Sequence, residues 1–310
     1  MRIDTHVHIS PQTLPAPPAP AGVPRPPSVT ADAILGMMDR YAIDGAVLSP
    51  MAMGLNTGDA AQAGKLVRMI NEELAQTVRA HSTRFAGLTV LPLPDVDAAV
   101  AEVAHGLDVL ELDGVLLMTN YQGTYAGDAS WEPLYAQLDR RGAYVFLHPT
   151  LPACGMPLEH PPWLYEFTFD TTRVLANLIY NGIFERFPRI RWQVAHCGGA
   201  TPFLAERIAS LAIREPQLAR EAPAGALAYL ARLYYDTGLS NNEIAYRTTR
   251  MVAPSDHIIF GTDWPNLPLP EEGDDPAPGL AFLDEETRSA LDSNAAVLVP
   301  RLASLIAASA

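Results

Sequence analysis

The first ten residues, MRIDTHVHIS, alternate between apolar or β-branched positions and polar ones. Positions 3, 5 and 7 are apolar or β-branched, and Asp4, His6 and His8 fill the alternate positions. A period of two predicts a β-strand, on which residues two apart point to the same face. We therefore expect two imidazoles to leave one face of the first strand, close to its carboxyl end.

Short apolar runs and longer segments of helical period alternate along the rest of the chain. We predict eight strands, which begin at Ile3, Ala46, Gly87, Gly114, Tyr144, Arg191, Tyr234 and Ile258. The predicted helices cover residues 30–40, 65–81, 96–107, 131–140, 171–187, 202–214, 243–252 and 284–294. Short apolar strands joined by crossover helices are typical of a parallel sheet covered by helices.

Eight such units in 310 residues predict an α/β protein with a closed (β/α)8 TIM barrel, and we take residues 1–310 as a single barrel domain. An open doubly wound sheet would be expected to carry a Gly-rich turn after its first strand, where this chain has histidines.

Two segments fall outside the alternation of strands and helices. The proline-rich residues 10–28 predict an extended arm over the surface or against a neighbouring subunit, and residues 295–308 predict a helical tail outside the barrel.

Composition and charge narrow the class of partner. The chain is 48% hydrophobic with a formal net charge of −14. This excess of acidic groups disfavours nucleic acid and anionic membrane surfaces, because phosphate binding needs a basic face. No apolar run approaches the length of a membrane span. We expect a soluble, cytoplasmic protein with no nucleic-acid or membrane partner, whose cysteines, Cys154 and Cys197, are free thiols.

Ligand-type residues lie where the predicted strands end. The first strand ends with His6 and His8, the fifth with His148, the sixth with His196 and the eighth with Asp263. Active sites of (β/α)8 barrels are built at the carboxyl ends of the strands. One histidine there is most simply a hydrogen-bonded core residue, but five ligand-type residues at one rim predict a site for Zn²⁺ or another divalent metal. Nitrogen and oxygen donors favour an open site that also binds water or substrate.

The ordered set of strand-end residues resembles the amidohydrolase superfamily. The segment FDTTRVLANLIYNGIFERFPRIRWQVAHCGGATPFLAERI and the closing strand IIFGTDWP are similar to its second branch, the aminocarboxymuconate-semialdehyde-decarboxylase-like group. The resemblance implies a homodimer with one divalent metal, most commonly Zn²⁺, with Mn²⁺ as the alternative. It implies that the metal ligands are His6, His8, His148 and Asp263. It further implies that His196 acts as acid and base, and that Asp263 is also a catalytic residue.

The residues themselves favour one metal. Members with two metals bridge them with a carboxylated lysine on strand four. The single lysine of this chain, Lys65, lies in a predicted helix, and the fourth strand ends LLMTN.

A metal with an open position supports two competing reactions. In a nonoxidative decarboxylase, a small aromatic or enol carboxylic acid binds at the metal, and His196 delivers a proton to the carbon that loses CO₂. In a hydrolase, activated water attacks a lactone, ester or amide carbonyl at the same site. A barrel that binds metal without activity is a third hypothesis. We favour decarboxylation of a salicylate-like carboxylate.

Two arginines are candidate contacts for the substrate carboxylate. Arg207 follows His196 by eleven residues, at a position where related decarboxylases carry an arginine that contacts substrate, sometimes across a subunit interface. The alternative is an ordinary surface pair with Glu206 or Glu215. For Arg173, a structural ion pair is favoured over a contact with substrate.

Four aromatic residues are candidates for lining the pocket, with core packing as the alternative for each: Trp163, Phe167, Phe169 and Trp264. The aminocarboxymuconate enzyme has a further substrate arginine in the arm after strand one. Here Arg25 is the only basic residue of that region, so a monocarboxylate fits better than a dicarboxylate.

Three features surround His196. Gly198 and Gly199 predict a tight turn into the next helix. Cys197 beside the acid/base is not expected to be a nucleophile, and Asp236 is expected to cap the helix after strand seven rather than orient His196.

Overall fold

The computed structural model describes residues 1–12, 28–50, 60–152 and 159–309. Most of the predicted proline-rich arm, together with Arg25 and Cys154, lies outside the described residues. The predictions for these positions therefore stay predictions.

The described chain contains ten strands: β1 (Ile3–Ile9), β2 (Gly45–Pro50), β3 (Phe85–Thr89), β4 (Gly114–Met118), β5 (Asn120–Tyr121), β6 (Thr124–Tyr125), β7 (Tyr144–His148), β8 (Arg191–Val194), β9 (Tyr234–Asp236) and β10 (Ile258–Ile259). Strands β5 and β6 form a small antiparallel hairpin. The other eight form one sheet in the order β1-β2-β3-β4-β7-β8-β9-β10. The predicted (β/α)8 TIM barrel is confirmed.

The chain after β10 pairs with β1. The Thr5 amide donates to the Phe260 carbonyl at 3.0 Å, and Val7 forms a parallel bridge with Trp264. The last barrel segment therefore continues beside the first strand beyond Ile259, which brings the residues that follow it next to the histidines of β1.

The residues that the structure describes form twelve α-helices: α1 (Ala31–Arg40), α2 (Ala60–Ala80), α3 (Val96–Ala104), α4 (Glu132–Arg141), α5 (Glu166–Tyr180), α6 (Ile183–Arg186), α7 (Thr201–Leu211), α8 (Pro216–Glu221), α9 (Ala226–Leu230), α10 (Glu243–Arg250), α11 (Glu285–Ser293) and α12 (Pro300–Ser309). Several begin at side-chain caps, as the sequence favours: Thr30 caps α1 and Asp95 caps α3.

One predicted helix is divided. The single helix expected over residues 171–187 is α5 and α6, which are separated at Asn181 and Gly182. Gly182 precedes α6 as its N-cap residue and has φ of 68°. This left-handed conformation breaks a continuous helix. The short helices α8 and α9 and the β5–β6 hairpin were not predicted.

The Cα packing divides the chain into two compact units, Met1–Val115 with Ile259–Ala310 and Leu116–Ile258. In the first unit, α2 packs on β3 and α12 packs on β2. In the second unit, β8 pairs with β7 and β9, and α7 packs against α5, α9 and α10. The second unit has a core rich in fully buried aromatic side chains, which include Trp131, Tyr135, Tyr144 and Tyr235.

The predicted C-terminal tail is helical in α12. A Cβ atom at Gly45 would lie 2.8 Å from the Ile306 side chain and 2.9 Å from that of Leu302. The tail therefore packs closely on the start of β2. Among the described helices no single one meets the length and hydropathy of a membrane span, and one pair bent by 120° does so jointly.

Candidate active site

Two histidines of β1 meet one carboxylate. His6 and His8 are buried, and the Nε2 atoms of their rings lie 3.2 and 2.9 Å from the same oxygen, Oδ1 of Asp263. The prediction that both imidazoles leave one face of the first strand is confirmed by this shared contact. Two nitrogens from β1 and one oxygen from the segment after β10 thus lie together, although His8 and Asp263 are 255 residues apart in sequence.

The backbone at Asp263 has an unusual conformation that serves this contact. Asp263 has φ of 62°, which non-glycine residues adopt only where the surroundings enforce it. Its amide donates to the His6 carbonyl at 2.8 Å, and the Asn266 side chain donates to its Oδ1 at 2.9 Å. These bonds fix the carboxylate against β1.

A second buried carboxylate supports the same segment from β1. Asp4 accepts from the Thr262 amide at 3.0 Å and from its hydroxyl at 2.6 Å, and from the His6 amide at 3.1 Å. Burial raises the pKa of Asp4 to about 7 even though these hydrogen bonds favour the ionised form. Asp4 thereby ties the residue before Asp263 to the strand that carries the histidines.

Two further histidines of the predicted set, His148 and His196, lie in the second unit. His148 is the last residue of β7 and is buried, and its Nδ1 lies 2.8 Å from the Pro149 carbonyl. This contact fits an imidazole that donates through Nδ1 to a carbonyl, the arrangement common for metal-binding histidines, and leaves Nε2 as the nitrogen that can bind a ligand.

Four residues form a group suited to a metal ion, which we call the His/Asp group: His6, His8, His148 and Asp263. All four are buried, and one ligand atom of each lies within 4.8 Å of the others. Three imidazole nitrogens and one carboxylate oxygen suit Zn²⁺, Mn²⁺ and related divalent ions. The residues present therefore fit a divalent metal ion.

His196 lies two residues after β8 in a strained turn. His196 and Cys197 have φ of 56° and 53°, and Gly198 and Gly199 have φ of 78° and 62°. The predicted tight turn at the two glycines is confirmed. A Cβ atom at Gly199 would lie 2.3 Å from the Thr168 carbonyl oxygen, so only glycine fits there.

Asp236, the last residue of β9, holds this turn. Its carboxylate accepts from the His196 amide at 3.1 Å, from the Gly238 amide at 3.0 Å and from the Gln193 side chain at 2.7 Å. The expectation that Asp236 caps the next helix is wrong, because Asn242 caps α10. A carboxylate that binds the His196 main chain restrains the position of the proposed acid/base.

Cys197 is buried, and its thiol lies 3.9 Å from the Ser240 carbonyl. Burial, with the negative charge of Asp236, raises the pKa of this thiol to about 12. A thiol with such a pKa is not ionised near neutral pH, which agrees with the expectation that Cys197 is not a nucleophile.

The predicted substrate contacts occupy different environments. Arg207 is exposed on α7, and within the described part of the chain no carboxylate forms an ion pair with it, so the alternative pair with Glu206 or Glu215 is not observed. Arg173 lies 3.4 Å from Glu166 and 3.5 Å from Asp170. Its structural ion pair is therefore present, and its substrate contact stays a prediction.

The aromatic candidates are only partly covered. Trp264 and Phe167 are half-buried, whereas Trp163 and Phe169 are 42% and 46% exposed. None of them is a fully buried core residue, so the core-packing alternative does not describe the exposed pair. Their contacts with substrate stay predictions.

Two carboxylates near the site carry roles that were not predicted from the sequence: Asp4 and Asp170. A signal for each was present, since Asp4 is an acidic residue in a strand whose seven residues are all buried, and Asp170 lies on the buried face of an amphipathic helix. Buried charges are rare unless they are paired or hydrogen-bonded.

The barrel and the His/Asp group together define a (β/α)8 protein with a candidate metal centre. A family model described as amidohydrolase matches residues 3–301. The 6-methylsalicylic acid decarboxylase of Aspergillus aculeatus is 31% identical over an alignment of 327 positions, which covers 97% of each chain. The chain belongs to the amidohydrolase family, and the resemblance inferred from its strand-end residues is confirmed.

Solved structures show the same fold. An amidohydrolase II structure has a TM-score of 0.85 at 27% identity, covering 97% of this chain and 100% of that chain. A dihydroxybenzoic acid decarboxylase from Polaromonas sp. JS666, solved with bound manganese and the inhibitor 2-nitroresorcinol, has a TM-score of 0.80 at 21% identity, covering 96% of each chain.

Proposed function

We propose that this protein is a metal-dependent nonoxidative decarboxylase of a small phenolic acid of the salicylate type. The observation that carries the proposal is the buried His/Asp group, with three imidazole nitrogens and one carboxylate oxygen within 4.8 Å of one another. The relative from Aspergillus aculeatus, named as a 6-methylsalicylic acid decarboxylase, supports the choice of reaction.

One divalent metal would be held by the His/Asp group, with Zn²⁺ and Mn²⁺ both compatible with its donors. When bound, the metal would polarise the oxygens of a carboxylate and of the neighbouring hydroxyl. The manganese in the related dihydroxybenzoic acid decarboxylase supports Mn²⁺ as the first ion to test. We propose that Asp263 is both a ligand and a catalytic residue, because its carboxylate contacts both β1 histidines.

His196 is the proposed acid and base. Its imidazole would deliver a proton to the ring carbon that bears the carboxylate. The bond between this carbon and the carboxylate carbon then breaks, its electron pair returns to the ring, and CO₂ leaves. The net change is one proton gained and one CO₂ lost, so neither an oxidant nor a reductant is needed. Asp236 holds the His196 main chain during this transfer.

Arg207 is the proposed contact for the substrate carboxylate. Its guanidinium is exposed on α7, and no carboxylate among the described residues pairs with it. A planar guanidinium binds a carboxylate through two parallel hydrogen bonds. Arg173 is the second candidate, and Trp264 and Phe167 are proposed to line the aromatic pocket.

The proposal is tested with protein stripped of metal and reloaded with one equivalent of Mn²⁺ or Zn²⁺. CO₂ release is then measured with 6-methylsalicylate, 2,6-dihydroxybenzoate and salicylate. We expect turnover of at least one of these acids by the loaded protein and none by the stripped protein. The matched control substrate is 4-hydroxybenzoate, which lacks a hydroxyl next to the carboxylate and should not react.

The variant His196→Asn keeps a polar side chain but cannot exchange a proton near neutral pH. It should bind metal like the unchanged protein and lose at least 100-fold in rate, since a positioned acid/base contributes about 10²–10⁴. Hydrolysis of lactones, esters or amides without CO₂ release from any acid would overturn the proposal in favour of the hydrolase alternative.

We also propose a homodimer in the cytoplasm, with residues 1–310 as one catalytic domain in agreement with the span of the family model. Exposed apolar side chains on α7, α10 and the residues that follow them support an association surface: Phe203, Ile213, Ile244 and Met251, each more than 80% exposed. The test is the mass in solution by light scattering, with Phe203→Asp and Ile244→Asp expected to give monomers.

A further inference from the structure

Asp170 is a fully buried carboxylate that the proposed reaction does not use. It lies in the second turn of α5. Its two oxygens accept from the hydroxyls of Thr119 and Tyr125, from the Asn120 side-chain NH₂ at 3.1 Å and from the Arg173 guanidinium at 3.5 Å. Four donors around one buried carboxylate form a built network rather than a chance contact.

The same donors hold the segment that carries His148. The Thr119 amide donates to the His148 carbonyl at 2.9 Å. The Thr119 hydroxyl accepts from the Thr150 amide at 3.1 Å, and the Asn120 side chain donates to the Leu151 carbonyl at 3.2 Å. Thr119 and Asn120 therefore join Asp170 to the main chain on both sides of the turn after β7.

We propose that Asp170 is a positioning residue for metal binding. It fixes Thr119 and Asn120, and through them the main chain at His148 to Leu151, so that the His148 imidazole is held in the orientation that the His/Asp group requires. This inference rests on the proposed function, because it assigns His148 as a metal ligand.

The geometry explains why a remote carboxylate affects the ligand. The His148 Nδ1 contacts the carbonyl of the next residue, Pro149, so the direction of its Nε2 follows the main chain of the turn. Partners that orient a metal-binding histidine typically change metal affinity by 10- to 100-fold when they are removed. Asp170 itself is not a member of the His/Asp group.

The experiment compares four variants of the full-length protein. Asp170→Ala removes the acceptor, and Asp170→Asn keeps one oxygen as a conservative rescue. Thr119→Val removes the connecting hydroxyl at nearly constant volume, and Thr119→Ser retains it. Mn²⁺ affinity is measured by electron paramagnetic resonance on protein stripped of metal, together with the melting temperature of the stripped protein.

A matched control removes a carboxylate from the opposite end of β7. Asp139 accepts from the Arg189 amide at 2.7 Å and from its guanidinium at 2.9 Å. It lies near the end of α4, five residues before β7 begins. Asp139→Asn should lower the melting temperature and leave Mn²⁺ affinity within threefold.

We expect Asp170→Ala and Thr119→Val to weaken Mn²⁺ binding 10- to 100-fold, and Thr119→Ser to stay within threefold. A fifth protein that combines Asp170→Ala with Thr119→Val should bind Mn²⁺ no more weakly than the worse of these two single variants, because both changes act through one path. Affinity within threefold in both Asp170→Ala and Thr119→Val overturns the inference. If Asp170→Ala does not fold, Thr119→Val against Thr119→Ser decides.

Failure of the proposed function is recognised separately. A wild-type protein that binds Mn²⁺ but releases no CO₂ from phenolic acids refutes the decarboxylase and leaves the affinity comparison valid. In the metal-free protein, Asp170→Ala and Thr119→Val should also shift the imidazole NMR signals of His148, while Asp139→Asn leaves them in place. Unchanged signals contradict the role of Asp170 whatever the reaction.

Discussion

Replacing Asp236 with alanine removes three buried hydrogen bonds at the turn that carries His196. The carboxylate accepts from the main-chain amides of His196 and Gly238 and from the Gln193 side chain, at 2.7 to 3.1 Å. Asp236 has no exposed surface. The variant therefore leaves the main-chain amides of His196 and Gly238 and the side-chain amide of Gln193 without this acceptor inside the buried core.

The magnitude follows from these contacts. A buried donor that loses its acceptor costs about 1–3 kcal/mol, and more where the acceptor was charged. With three donors affected and some relief by water in the space of the lost side chain, we expect the free energy of unfolding to fall by about 3–5 kcal/mol. The melting temperature should fall by roughly 6–10 °C at about 2 °C per kcal/mol.

The matched variant is Asp236→Asn. Its one remaining oxygen can still accept from the His196 and Gly238 amides, and the Gln193 amide can turn to accept from the new NH₂ group. For this variant we expect the free energy of unfolding to fall by only about 1 kcal/mol, and the rate of CO₂ release to stay near that of the unchanged protein.

The assay is urea unfolding of metal-free protein, followed by CO₂ release from the best substrate after loading. Asp236→Ala should lose activity at least tenfold under conditions where it remains folded, because the His196 turn relaxes from its positive φ. Equal stability and equal rate in the alanine and asparagine variants would refute the role given to this carboxylate.

Three further outcomes test the fold. Arg301→Met removes a guanidinium that pairs with both oxygens of Asp113 at 2.8 and 2.9 Å. The free energy of unfolding measured in urea should fall by about 2–3 kcal/mol. Arg301→Lys should fall by an intermediate amount, because an ammonium group cannot form both bonds. Burial raises the pKa of Cys197 to about 12, so about one molecule in ten thousand carries the thiolate at pH 8. Iodoacetamide should therefore not label the Cys197 peptide of the folded protein over hours, and it should label that peptide in urea. Gly199→Ala places a methyl group against the Thr168 carbonyl at positive φ and should cost about 3 kcal/mol or more by the same unfolding measurement.

The period of the hydrophobic pattern was sufficient to predict the barrel. Each predicted strand start lies in or within two residues of an observed strand, because buried parallel strands are short apolar runs that helices separate. The divided helix at Gly182 was missed because its apolar spacing continues through the break. The glycine at positive φ is visible in the sequence, but its conformation is set by the packing around it.

The candidate site was predictable to the level of the residues that could bind metal. Histidine and aspartate residues at the ends of predicted strands can be recognised in a sequence. His148 is the last residue of β7, as predicted. The supporting contacts were not predictable in this way. Asp236 was expected to cap a helix, and only the geometry shows that its carboxylate accepts from the His196 amide, since both roles use the same oxygen chemistry.

The most direct test of the proposed metal centre is a titration of turnover with metal. Protein stripped by chelation receives Mn²⁺ in steps below and above one equivalent per chain, and CO₂ release from 6-methylsalicylate or 2,6-dihydroxybenzoate is measured at each step. We expect a rate that starts near zero, rises linearly and reaches its plateau at one equivalent, with no rise in an Asp263→Ala variant. A rate that is independent of added metal, or an equal rise in Asp263→Ala, would contradict this expectation.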